Sequence, residues 1–71
     1  MEQNLDEIIS ANIKREIETS GKSKSEIAKA IGVSKPTITQ YCTGRAQPTL
    51  ATFSKLCNFL DCSANDILNI K

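Results

Sequence analysis

"IGVSKPTITQY" (Ile31–Tyr41) sets a glycine, a serine and a proline in quick succession and follows them with a run of hydroxyls and one amide. Gly32 stands where a left-handed residue lets the chain leave a helix, Val33 is an apolar plug for the corner, and Ser34 can cap a new helix. Three residues thus turn one helix into another. Pro36 looks like a breaker, yet in a first turn the amide it lacks would have been an orphan anyway. The stretch predicts a sharp turn between two short helices, the second spanning about residues 35 to 43 and ending at Gly44.

The same signals extend outward. Upstream, "SKSE" (Ser23–Glu26) is a capping box, so a helix runs from about Lys24 to Ile31 and buries Ile27, Ala28 and Ile31. Before it, Leu5, Ile8, Ile9, Ile13 and Ile17 recur at helical spacing, which predicts a first helix over about residues 5 to 19 with Gly21 as its C-terminal cap. Downstream, "RAQP" reads as a loop, Thr49 caps a helix from Leu50 to Leu60, and Ser63 caps a short one around Ala64 to Leu68. No run alternates as a strand. The prediction is an all-α domain of five short helices covering residues 1–71, with its core in about 5–68.

Composition narrows the function. Seventy-one residues leave no room for a cofactor domain or a deep cleft, and no segment approaches the ~20 apolar residues of a membrane span. The opening "MEQNLDEIIS" is acidic and has neither the basic start nor the apolar stretch of a secretory signal, so a cytoplasmic location is expected. Cys42, Cys57 and Cys62 cannot all pair within one chain and, with no histidine, cannot supply four zinc ligands. They read as reduced thiols packed like small apolar residues, with redox sensing as the alternative. The lack of histidine also removes the usual general base, and no carboxylate pair has hydrolase surroundings, so no enzyme, cofactor, metal or small-molecule ligand is expected.

The formal net charge of +1 hides an asymmetry. Lys22, Lys24, Lys29, Lys35, Arg45 and Lys55 face only Glu26 in the middle of the chain, whereas both flanking segments are net acidic. A concentrated positive middle suggests a polyanion partner, against the plainer reading of a solvated lysine-rich face.

The third helix sharpens this. At about 100° per residue, Ile38, Tyr41 and Cys42 fall on one side, while Pro36, Thr39, Gln40 and Thr43 cluster on the other, flanked by Lys35 and Thr37. Thr37, Ile38 and Thr39 are three β-branched residues in a row and weak helix formers. A merely solvated face would be better served by Glu, Lys and Ala. The DNA major groove gives such a face a use: Gln can bind adenine bidentately, Lys suits guanine acceptors, and Thr offers a hydroxyl and a methyl. Around these readers, Lys24 at the start of the second helix and Arg45 just past the third are placed to meet phosphates.

With these residues the chain resembles the helix-turn-helix domain of the Cro and lambda-repressor type, the Xre family. The resemblance covers roughly Ile13 to Leu68. Ile27, Ala28, Gly32, Val33, Ser34, Ile38, Tyr41 and Gly44 stand in that family's places, and "QPTL" followed by "LCNFLDCSANDIL" is similar to its closing two helices. It implies a five-helix lambda-repressor-like fold whose third helix is the recognition helix. Base-reading positions would then be Lys35, Pro36, Thr37 and Gln40, and phosphate-contacting positions Lys24, Thr39, Thr43 and Arg45. Three residues depart from the pattern: Lys22 replaces an apolar residue before the second helix, Pro36 replaces a polar base contact, and Ala46 is silent in a loop where some relatives touch DNA.

The function implied is a sequence-specific double-stranded DNA-binding regulator, a bacterial or phage repressor. One helix reads too few base pairs to select one operator, so a homodimer on an inverted repeat is expected. The alternative is a protein-interaction module, such as an antitoxin or adaptor, which the acidic first helix and low total charge favour slightly.

Overall fold

Five short polar side chains set five helix starts. In the computed structural model, which describes residues 4–70, these are α1 (Leu5–Thr19), α2 (Lys24–Ile31), α3 (Lys35–Thr43), α4 (Leu50–Leu60) and α5 (Ala64–Leu68), with no strand among the described residues. Of the acidic opening, residues 1–3 lie outside the described residues. Asn4, Ser23, Ser34, Thr49 and Ser63 each hold an extended backbone and accept a hydrogen bond from an amide two or three residues on, satisfying one of the donors that a helix start leaves orphaned. At Ser23 the box is complete: the Glu26 amide donates to Ser23 Oγ at 3.1 Å, and the Ser23 amide donates to Glu26 Oε1 at 3.2 Å.

The helix ends are equally local. Gly32 (φ 78°) and Gly44 (φ 79°) close α2 and α3 in the left-handed region that glycine enters without a Cβ penalty. Helix α1 ends at Thr19 as the sequence predicts, and only the residue at its cap differs. Ser20, in a right-handed conformation, is the cap, and its hydroxyl donates to the Ile17 carbonyl at 2.7 Å; Gly21 takes its positive φ of 75° one residue later. The serine hydroxyl satisfies a last-turn carbonyl, and Gly21 supplies the left-handed residue just beyond it.

The core is built from Ile13, Ile17, Ile27, Ala28, Ile31, Ile38, Tyr41, Phe53, Leu56, Cys57 and Ile67. Ile27, Ile38, Leu56 and Ile67 are completely buried, each such side chain contributing about 1.5–3 kcal/mol. Helix α1 packs on α3 and α5, and α2 packs on α3 and α4. The predicted third helix is therefore held from two sides. Polar ties complete the frame: Asn12 Nδ2 donates to the carbonyls of Asp66 (3.2 Å) and Ile67 (3.0 Å), and Gln47 Nε2 donates to Asp6 Oδ1 (2.8 Å). The first fixes α5 to α1; the second fixes the α3–α4 loop to the start of α1.

The apolar stripe of α1 is not buried along its whole length. Leu5 is 54% exposed, and Ile8 and Ile9 are half-buried. At the other end of the chain Ile67 is core, whereas Ile70 is 58% exposed. Lys22, where an apolar residue was expected to staple α2, sets its ammonium 5.3 Å from the Phe59 ring centroid. That cation–π contact ties the α1–α2 connection to α4 in place of a hydrophobic staple.

Candidate nucleic-acid interface

Helix α3 has only nine residues and a β-branched run, so its position depends on packing. Ile38 is fully buried and Tyr41 is 6% exposed, and these two side chains fasten the helix to the core. Pro36 lies in its first turn and no acidic residue does, which leaves the positive end of the helix dipole beside Lys35 uncompensated. Lys35, Pro36, Thr39, Gln40 and Thr43 are exposed on the opposite side, and Arg45 is exposed just beyond Gly44. Among the described residues the side chains of Lys35, Gln40 and Arg45 make no hydrogen bond or ion pair, so their donors and acceptors are directed to solvent.

Four of the anticipated contacts, Thr37, Lys24, Thr39 and Thr43, have partners inside the domain. Thr37 is half-buried, its hydroxyl lies 2.7 Å from Ser34 Oγ, and its amide donates to the same oxygen at 3.4 Å. Its side chain thus serves the cap of α3 as well as the outer face. Lys24, also half-buried, donates from Nζ to Thr39 Oγ1 at 3.2 Å, linking the first turn of α2 to the middle of α3. The ammonium is thereby held beside the α3 surface instead of ranging through solvent. Beneath it, burial pushes the Cys42 thiol upward, while the Lys24 charge pulls it the other way. Thr43 Oγ1 donates to the Gln40 carbonyl at 3.3 Å, and the amides of Arg45 (3.0 Å) and Ala46 (3.3 Å) close on the same oxygen.

The eight residues singled out from sequence therefore lie on α3 and its two ends, with Lys24 reaching them from α2. The hydroxyl pairing of Ser34 with Thr37 and the reach of Lys24 to Thr39 were not read from sequence. The first had a local signal, a cap residue three positions before a threonine; the second depends on how α2 crosses α3. A separate feature had no sequence signal: Ile9, Gln47, Pro48, Leu50, Phe53 and Leu68 line a shallow apolar groove, beside which Leu50 is 86% exposed.

Comparison with known proteins agrees with this geometry. The helix-turn-helix family model matches residues 13–67, from α1 through the buried Ile67 of α5. Searches among curated proteins and among solved structures found no match. The chain belongs to the helix-turn-helix family of the Cro/C1, Xre-like type, a family of DNA-binding regulators, and its five helices have the lambda-repressor-like arrangement.

Proposed function

We propose that the chain is a sequence-specific repressor that binds an inverted-repeat operator in double-stranded DNA as a homodimer. The observation that carries this reading is the outer face of α3. A helix made of weak helix formers, pinned by Ile38 and Tyr41, presents Lys35, Pro36, Thr37 and Gln40 where base edges would lie. Lys24, Thr39, Thr43 and Arg45 surround that face as phosphate contacts, and the Lys24–Thr39 hydrogen bond holds one cation there in advance. Repression follows from occupancy: a protein seated on an operator blocks polymerase. A cytoplasmic location accompanies that role.

Dimerisation is supported by size and by surface. Half-sites one helical turn apart have centres about 34–36 Å from each other. The protomer measures 36 × 23 × 22 Å, so two copies on adjacent half-sites come close enough to touch. The groove along Pro48, Leu50 and Leu68, with Leu5 one helical turn before Ile9, offers apolar surface for that contact.

The test is selection from a randomised duplex pool with wild type and Gln40→Ala in parallel. An enriched inverted repeat, degraded in the variant at matched positions of both halves, is the expected result. No enrichment at low salt by well-folded protein overturns the reading. Binding to random duplex should also weaken with salt at a log–log slope of roughly −4 for a dimer with two cations per copy on phosphates.

A further inference from the structure

The C-terminal turn of α4 brings two thiols together. Asp61 adopts a left-handed conformation (φ 54°, ψ 47°), its amide donates to the Asn58 carbonyl at 3.3 Å, and the Cys62 amide donates back to the Cys57 carbonyl at 3.1 Å. This six-to-one closure places the side chains of its first and last residues side by side. Here those residues are Cys57 and Cys62, both free. Cys57 is 8% exposed and Cys62 half-buried, so the pair has an inner and an outer member. Cys42 is in different surroundings, near Lys24, Glu18 and Lys14, whereas Cys57 and Cys62 share Glu16 as a neighbour.

We propose that Cys57 and Cys62 are an oxidisable dithiol that closes to an intramolecular disulfide by exchange with a small-molecule disulfide such as glutathione disulfide. Cys62, the reachable member, loses its proton and attacks one sulfur of glutathione disulfide; the S–S bond breaks and the departing glutathione thiolate takes up a proton. Cys57 then loses its proton and attacks the Cys62 sulfur of the mixed disulfide, and the second glutathione leaves as thiolate and is protonated. Two protein thiols become one disulfide, and one glutathione disulfide becomes two glutathiones.

The surroundings set the rate. Burial raises the Cys57 thiol, and burial together with Cys57, Glu16 and Asp66 pushes Cys62 up to about 11, so thiolate is scarce at neutral pH. Exchange should be slow at pH 7 and accelerate about tenfold per pH unit up to pH 9. Once closed, the bond stitches the last turn of α4 to the residue before the Ser63 cap of α5, the helix that inserts Ile67 into the core. The inference does not depend on what α3 binds.

The experiment treats the folded chain with glutathione disulfide at pH 8.5 and reads intact mass, peptide map and thermal midpoint, for wild type, Cys42→Ser and Cys62→Ser. Wild type and Cys42→Ser should lose about 2 Da and yield a Cys57–Cys62 cross-linked peptide. The oxidised midpoint should rise by roughly 5–10 °C and return with dithiothreitol. Cys62→Ser, altered at the half-buried member so that the core is spared, should give no such species. Overturning results are stable glutathione adducts without closure, disulfide-linked chain pairs, a cross-link through Cys42, closure only in denaturant, or a lowered midpoint.

Discussion

Helices α2 and α3 are nearly equal in length and joined by the same turn, yet they are built on opposite terms. Helix α2 commits three of its eight residues, Ile27, Ala28 and Ile31, to the core and begins on a complete capping box. Helix α3 commits two of nine, begins on a single cap, and carries the β-branched run from Thr37 to Thr39. Capping and core packing together stabilise the first; the second, with its weak helix formers, depends on packing. A helix stabilised from its buried side leaves its outer side free to be chosen for chemistry, and that is where the exposed amide and cation of α3 lie.

The largest test strikes the packing that α3 depends on. Ile38→Ala removes a completely buried side chain from the α3 face, and should cost about 2–5 kcal/mol in chemical denaturation. A loss below about 1 kcal/mol would mean that α3 holds its place by propensity after all. Thr39→Ala, on the exposed face of the same helix, replaces a weak helix former and should leave stability nearly unchanged or slightly raised.

The next test separates reading from gripping. Gln40→Ala or Lys35→Ala should cost about 1–3 kcal/mol at particular base pairs and relax preference there. Lys24→Ala or Arg45→Ala should weaken all sequences alike and reduce the magnitude of the salt slope by about 1 per cation in each copy. Uniform loss from all four variants would erase the division between readers and grips.

How much of this could be read from sequence follows from how far each cause reaches along the chain. The starts and ends of all five helices lie where the sequence puts them, because a cap, a glycine or a first-turn proline acts within four residues. The cap of α1 shows the limit of that rule, since Ser20 stands where Gly21 was expected and satisfies a last-turn carbonyl through its hydroxyl. Features that need two helices to cross were out of reach: the Lys24–Thr39 bond, Lys22 over Phe59, and the exposure of Leu5 despite its place in the apolar stripe. Cys57 and Cys62 stand between these cases. Their juxtaposition is local, but it hinges on Asp61 entering a left-handed conformation, which a non-glycine residue seldom signals.

The two helix ends give a smaller contrast. Gly32→Ala has open space around the added methyl, so its cost is backbone strain alone, about 1–2 kcal/mol at a positive φ. Gly44→Ala carries the same strain and also meets Ser10 Oγ at 3.3 Å. That hydroxyl donates to the Glu7 carbonyl at 3.1 Å, so moving it disturbs α1 as well. Gly44→Ala should therefore be the more destabilising of the two in thermal unfolding. An equal effect would mean that Ser10 yields freely and that α3 is seated less firmly on α1 than its packing implies.

The finest test compares the two caps. Ser23→Ala breaks both halves of a capping box and should cost about 1–2 kcal/mol. Ser34→Ala removes a longer amide bond of 3.4 Å to Thr37, with no reciprocal partner, and should cost nearer 0.5 kcal/mol. Its greater consequence falls on recognition. The Ser34 hydroxyl is the near partner of the Thr37 hydroxyl, at 2.7 Å, and without it Thr37 is free to turn toward a base edge or a phosphate. Ser34→Ala should then shift base preference at the position read by Thr37 while Ser23→Ala leaves preference untouched, both measured by selection from the same random pool. If neither variant changes preference, Thr37 belongs to the cap of α3, and the reading face of that helix reduces to Lys35, Pro36 and Gln40.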